Sequence, residues 1–365
     1  MTNTKVGRTN ELDVLRGLAV LSVVFYHYTT RYGKLFGRID ESYFLDFKYG
    51  GWGVQLFFMI SGYVIYMTTK NCKSVKEFAI KRIIRLYPAF LFALPLTFII
   101  VGLYHLEGRQ VSISEALLNL TMIYGYLPKV RYVDGAYWSL TVEISFYLVI
   151  GALLYTKMIK NIIYVSIAWL ATAALFETDV LVSFKYFSFL MYKIGIFELC
   201  DLFIAGMMFY QIKNNNKLIY HVILGLVVLF NLVFKDYQST AFLLVFYTVF
   251  YALVFDKLKF LGKIKFLTFI GTISYSLYLV HQNIGYVVIN FLENHGFTHE
   301  IYILIPLAVS FSLASLITFY IENPIQDYLR RKFLPTKQEP LPYSNSNTSE
   351  VSHSTQNSKN LLVNY

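Results

Sequence analysis

Runs of about twenty apolar residues, cut by short polar connections, recur ten times along the chain: 12–30, 52–69, 83–103, 136–156, 161–177, 194–211, 218–234, 240–256, 266–292 and 301–321. A helix needs about that length to cross the hydrocarbon core of a bilayer. The pattern therefore predicts an all-α, polytopic membrane helix bundle of about ten transmembrane helices. Segment 112–127 (SISEALLNLTMIYGYL) departs from the rule. It is amphipathic and its apolar part is shorter, which predicts an interfacial or re-entrant helix. From Pro335 the pattern stops: PTKQEPLPYSNSNTSEVSHSTQNSKN is polar and Ser/Asn-rich and cannot bury a core. A membrane domain, 1–334, is thus expected to precede a disordered cytoplasmic tail, 335–365.

Composition sharpens this picture. Of 365 residues, 56% are AVILMFWYC and 15% are charged, with mean hydropathy +0.50. A soluble domain has roughly 25% charged residues, so an ordinary soluble enzyme and a disordered chain are excluded. The net charge of +10 (32 − 22) is scattered between apolar runs; it reads as loop charge on a membrane protein and not as a nucleic-acid surface. Placing the N-terminus in the cytoplasm puts 19 Lys/Arg on the inner segments and 10 on the outer ones. The positive-inside rule then predicts that both termini are cytoplasmic. The bias would largely disappear if 112–127 crossed. The polar start, Met1–Asn10, leads into a long span without a small-residue cleavage site, so no cleavable signal is expected. Cys72 and Cys200 lie far apart, which offers no disulfide or Cys-based metal framework, and no metal is expected.

Ionisable groups within a span are costly and mark cavities, partners or function. Here they are Arg16, His27, Glu143, Glu198, Asp201 and His281. At 1.5 Å per residue, His27 stands about 16 Å above Arg16, Glu143 about 10 Å below the outer end of its span, and His281 about 22 Å up its own. The three thus fall at similar depths on three helices. A His–carboxylate–His group at one level suits proton transfer in a dry site; the alternative is three structural polar residues bonding neighbouring helices. On the inner side, Arg82 and Arg85 in KRIIR share a helix face near its N-terminus. That geometry suits a phosphate, and equally lipid headgroup contact. Glu198 and Asp201 are expected above the hydrocarbon if their span starts later than residue 194. Met207-Met208-Phe209-Tyr210 reads as lipid-facing or packing, and Gly50-Gly51-Trp52-Gly53 as a helix entry allowing close backbone approach.

Several stretches coincide with a known family. The chain resembles the acyltransferase-3 family of integral membrane acyltransferases. ELDVLRGLAVLSVVFYHY carries its Arg, ten residues, then His, here Arg16 and His27. GGWGVQLFFMISGYVI is similar to its Gly-rich entry and Phe-Phe pair. KRIIRLYP carries Arg-x-x-Arg as Arg82 and Arg85, and YWSLTVEISFYL the Trp-Ser-Leu-x-x-Glu segment, with Trp138 and Glu143. ISYSLYLVHQ resembles the late Ser-Tyr…His helix, with Ser274, Tyr278 and His281, and IENPIQDYLRR the Glu-x-Pro end of the last span. Gln55 stands where many members carry Asp, and Ile144-Ser145 replaces a commoner acidic and amide pair. With no hydrolase-like domain following, a stand-alone member is expected.

The resemblance implies transfer of an acyl group, usually acetyl, from cytoplasmic acyl-CoA to a glycan hydroxyl in a bacterial inner membrane. It implies His27, Glu143 and His281 as catalytic residues, His27 serving as base or transient acyl carrier. Arg82, Arg85 and Arg16 would bind acetyl-CoA, and Trp138, Ser274 and Tyr278 would contact substrate. A proton-coupled transporter or flippase is the rival reading, since intramembrane His and Glu serve that too; no inverted repeat is visible.

Overall fold

In the computed structural model, which describes residues 10–37, 45–178 and 194–334, helix dominates and no strand occurs among those residues. Helix α1 (Asn10–Tyr26) opens with Glu11 and Asp13 in its first turn, where the helix dipole favours carboxylates. It runs through a π-helical turn, His27–Arg31, into α2 (Tyr32–Phe36). The rest follow as α3 (Gly53–Thr69), α4 (Val75–Leu103), α5 (Ile113–Leu120), α6 (Trp138–Tyr155), α7 (Ile162–Glu177), α8 (Cys200–Asn214), α9 (Leu218–Phe234), α10 (Tyr237–Val254), α11 (Lys265–Asn294), α12 (Leu304–Leu316) and α13 (Asn323–Phe333). A second π turn, Ile317–Glu322, joins the last two.

The ten apolar runs map onto α1, α3, α4, α6 to α11 and α12, a helical membrane bundle. Five stretches meet the length and apolarity of a spanning helix outright: Val75–Leu103, Gly135–Tyr155, Met158–Glu177, Tyr237–Val254 and Glu300–Phe333. The remainder are shorter or carry the polar residues that build the site. Leu218, Leu229, Leu232 and Val233 of α9 are exposed, an apolar face that only lipid or another chain can cover.

At the centre, α1 packs on α11 and α3, and α3 on α8. Two glycines show how close these approaches are. A Cβ on Gly271 would sit 1.8 Å from the Asp13 carbonyl oxygen, and one on Gly206 2.1 Å from that of Met59. Small residues at such crossings let backbones touch, which in lipid replaces the hydrophobic drive for association. Met207, Met208 and Phe209 are fully buried, so that stripe packs the core and does not face lipid.

Segment 112–127 does not span. Its helix, α5, has eight residues, about 12 Å. Ser112 and Glu115 close a capping box at its start, and Arg131 grips the Glu115 carboxylate through Nε at 3.1 Å and Nη2 at 3.2 Å. That guanidinium, with the Ser112 N–H, pulls the Glu115 carboxyl down to about 2. The fully buried Asn119 donates to the Arg131 carbonyl and accepts from the Val133 N–H, folding the following chain back into the bundle.

Two boundaries differ from the sequence reading. Helix α4 begins eight residues before the apolar run because Ser74 caps the Glu77 N–H and the basic residues that follow remain good helix formers. Helix α8 starts at Cys200 and not 194, yet Asp201 in its first turn is buried, accepting 2.9 Å from Asn231 Nδ2 of α9. Asp201 is therefore buried within the protein, a neighbouring helix supplying its partner. The tail from residue 335 lies outside the described residues.

Candidate active site

Two polar constructions lie next to one another in the bundle. The first is a pair of imidazoles. Every α-helical ladder brings side chains to a face at 3.6-residue spacing; the π turn at His27 widens that spacing locally, a distortion found mostly at functional positions. His27 meets His281 of α11 with Nδ1 and Nε2 3.0 Å apart and ring centroids at 4.9 Å. His281 is fully buried; His27 is partly accessible.

The neighbours assign the protons. His281 Nδ1 lies 2.8 Å from the Tyr278 carbonyl oxygen, which can only accept, so Nδ1 carries hydrogen and Nε2 the lone pair. His27 Nδ1 faces that lone pair and also the Val23 carbonyl oxygen at 3.0 Å. Both are acceptors, so His27 Nδ1 carries hydrogen too. The lone pair of neutral His27 is then on Nε2, with no hydrogen-bond partner among the described residues.

The segment before α6 holds His281 in place. Asp134, fully buried, accepts from the Ala136 N–H at 2.8 Å and from the Asn283 N–H at 2.9 Å. Asn283 Nδ2 donates to the Val133 carbonyl at 2.8 Å, Tyr137 Oη to the Leu279 carbonyl at 3.2 Å, and Tyr278 Oη to the Ala136 carbonyl at 3.0 Å. From the other side, Tyr28 Oη donates to the His281 carbonyl at 2.7 Å. Sequence reasoning missed Asp134, Tyr137 and Asn283. The Asp-Gly turn signal at 134–135 marks the segment, but nothing in the chain shows that it folds inward.

The second construction is a cavity of about 570 Å³ bounded by α1, α3, α4, α6 and α11. Its lining joins Arg16, Lys81, Arg82, Arg85 and Arg330 at one end to Phe57, Ser139 and Tyr278 at the other. Tyr278 connects the two constructions: its hydroxyl bonds Ser139 Oγ at 2.8 Å, and its ring stands 5.5 Å from that of His281. Ser274 also lines the cavity, its hydroxyl turned to the Gly271 carbonyl at 2.8 Å. Arg16 pairs with Asp13 at 3.3 Å on the cavity wall. Trp138 is 38% exposed and packs edge-on to Phe58, outside the lining.

The two arginines of the KRIIR motif have different surroundings. Arg85 is ion-paired with Glu322, which also takes Ser276 Oγ at 2.8 Å and Gln326 Nε2 at 3.0 Å. Arg82 lies over the rings of Phe78 and Tyr147, donates weakly to Thr68 Oγ1 at 3.3 Å, and has a buried Nε with no partner. Leaving such a donor unmade costs about 1–3 kcal/mol, which an incoming oxyanion would recover.

Glu143 is not level with the imidazoles. It accepts from Tyr147 Oη and lines the cavity, with no hydrogen bond to His27 or His281. The depth count took Ala136 as the outer surface. In fact Ala136 is buried and its carbonyl receives Tyr278 Oη, one turn from His281. Helix α6 therefore begins near the level of the pair, and Glu143, seven residues on, lies about 10 Å deeper.

The structure thus holds an imidazole pair beside an arginine-rich cavity, within a helical membrane bundle. The family comparison is specific: residues 9–321 match the model of the acyltransferase domain, so the chain belongs to the acyltransferase-3 family. Among curated proteins it is similar to "Nodulation protein 10" of Rhizobium leguminosarum, 27% identical over 40% of this chain and 45% of that one. It is also similar to "Peptidoglycan O-acetyltransferase OatA" of Listeria monocytogenes, 29% identical over 41% and 25%. "Putative acetyltransferase ORF330" of Acidianus two-tailed virus is 25% identical over 73% and 80%. The chain thus spans less than half the length of the first two relatives. No solved structure matches it.

Proposed function

We propose that the protein is a membrane O-acyltransferase that moves an acyl group, acetyl in the simplest case, from acyl-CoA to a saccharide hydroxyl, with His27 as the base. The observation that carries this is the orientation of the imidazole pair, which leaves His27 Nε2 with a lone pair and no hydrogen-bond partner among the described residues. An acceptor hydroxyl gives its proton to Nε2 while its oxygen attacks the thioester carbonyl; the C–S bond then breaks and the thiolate takes a proton. The imidazolium formed at His27 keeps its Nδ1–H on His281 Nε2, which orients the ring and shares the charge.

The donor's phosphates fit the basic end of the cavity, where Arg82 offers an unpartnered N–H and Arg16 and Arg85 add charge. Its thioester end would reach toward Phe57, Ser139 and Tyr278. The charge asymmetry of the loops supports a cytoplasmic donor mouth and both termini inside; the relatives from Rhizobium and Listeria support placing it in a bacterial cytoplasmic membrane. Membranes containing the protein, given labelled acetyl-CoA with and without cell-envelope glycan, should label the glycan only when both are present. Label absent from every envelope fraction, with the protein inserted and folded, would overturn the reading.

A further inference from the structure

The basic end of the cavity holds a cation that neither the KRIIR motif nor α1 supplies. Five cationic side chains and two carboxylates, Asp13 and Glu143, line that cavity. The fifth cation, Arg330, comes from the last helix, α13. Its guanidinium is aimed from inside the protein. The buried Gln326 donates through Nε2 to Glu322 Oε1 at 3.0 Å and to the Arg85 carbonyl at 3.3 Å, which fixes the sense of the amide. Its Oε1 therefore accepts from Arg330 Nη2 at 2.7 Å. The carboxylate that pairs with Arg85 thus orients Arg330 as well, through one amide. Asp327 stands 3.7 Å from Nη1, a loose pair on a side chain that is 45% exposed.

Depth separates this arginine from the motif pair. Ser310 of α12 is level with His281, since Tyr28 Oη bonds both, at 2.6 Å to Ser310 Oγ and 2.7 Å to the His281 carbonyl. From Ser310 the helix descends 20 residues to Arg330, about 30 Å. A helical side chain leans back toward its own N-terminus, so Arg330 leans toward the cavity. Arg82 lies deeper. It precedes Arg85 by three residues, about 4.5 Å, whereas Arg330 follows Glu322, the partner of Arg85, by eight, about 12 Å. Ser139 and Tyr278, at the other end of the cavity, are deeper still.

An acyl-CoA with its thioester at Tyr278 lays its pyrophosphate along the wall first and its adenosine at the mouth. We propose that Arg330 binds the 3′-phosphate of that adenosine, a group that free acyl-CoA carries and protein-bound phosphopantetheine lacks. The inference rests on the acyl-transfer reading and names the feature by which the site selects its donor. A monoester phosphate offers several charged oxygens, which a guanidinium fork matches better than an ammonium does. With Nη2 held by Gln326, the direction of that fork is set before the donor arrives. The deeper Arg82, whose Nε has no partner, is left to the pyrophosphate.

The test measures donor binding with no acceptor present. The full chain in phosphatidylcholine nanodiscs is titrated with CoA and with 3′-dephospho-CoA. Wild type should bind CoA about tenfold more tightly, the size of one charge-assisted hydrogen bond. Arg330→Gln should lose most of that preference by weakening CoA alone, with dephospho-CoA binding and thermal unfolding as in wild type, and Arg330→Lys should keep part of it. Equal weakening of both probes in Arg330→Gln would assign the residue to the pyrophosphate and overturn the proposal. So would equal binding of the two probes by wild type, or a preference that Arg330→Gln leaves unchanged, which would return Arg330 to lipid headgroups. Those three outcomes leave the acyl-CoA reading standing; binding of neither probe by folded wild type would overturn that reading, and the proposal with it.

Discussion

The imidazole pair and the basic cavity adjoin through Tyr278 but are built in opposite ways. Around His281 the backbone is tied down by side chains: carbonyls 278, 279 and 281 each receive a side-chain donor, and Asp134 takes two backbone N–H groups. The cavity instead leaves charge incompletely matched, with Arg82 Nε unpartnered. A backbone held by that many side-chain donors fixes where the imidazole it carries points. A network short of acceptors waits for a ligand to complete it. On the function proposed above, the first positions a reaction and the second holds a reactant.

The sharpest way to break this contrast is at His27 Nε2. His27→Ala should insert and fold normally while acyl transfer falls by about 10² or more, the usual size of a lost general base. His27→Gln should not rescue it, since an amide takes no proton at neutral pH. Near-wild-type transfer by a well-expressed His27→Ala protein would remove the base assignment and leave His281 as the next candidate.

The two motif arginines test the other side. Arg82→Ala should raise the KM for acyl-CoA about tenfold with little change in thermal unfolding. Arg85→Ala strands the buried Glu322 and should lower stability by up to about 3 kcal/mol; the cost stays at the low end because Arg85 is 35% open to the cavity. Identical behaviour of the two variants, in kinetics and in melting, would erase the distinction.

A smaller effect is expected from Gly135→Ala. Its new Cβ would stand 2.5 Å from Gln282 Nε2, next to His281. Shifting that contact should lower kcat roughly three- to tenfold while donor KM holds; the reverse split would place the segment's influence in the cavity. The smallest concerns the α5 clamp. Glu115 is depressed to about 2, so its contribution is present above the unfolded value near 4.3 and is lost only as pH falls toward 2. Amide exchange of residues 112–131 should therefore be flat from pH 7 to about 5 and rise progressively below it, after correction for intrinsic rates, and Arg131→Ala should speed exchange near neutral pH and flatten that rise. A pH-independent difference between wild type and variant would show that the clamp is not electrostatic.

Much of the bundle was legible because spanning a bilayer forces a long apolar run onto each helix, and α9 or α10 needs no tertiary knowledge to be found. His27 and His281 were legible for the same reason, as ionisable residues where they are expensive. Glu143 was misplaced because a helix's depth depends on where its first turn sits, and α6 begins inside the protein. The separate environments of Arg82 and Arg85 were invisible, since three-residue spacing fixes a common face but not the neighbour that meets it, here Glu322. Asp134 and Asn283 were missed because their partners lie 149 residues apart, and no local period records such a contact.

That separation also governs how the protein is made. His27 and His281 are 254 residues apart. At about 5–20 residues per second of synthesis, α1 enters the membrane roughly 10–50 s before the helix that carries His281 exists. The glycine faces that let α1 and α3 press against α11 and α8 must remain unclaimed for that interval, in a bilayer already crowded with α4 to α7. Biogenesis therefore needs either a chaperoning insertion partner or provisional contacts among the early helices that the late ones displace, and truncations ending before α11 should be cleared by membrane proteases.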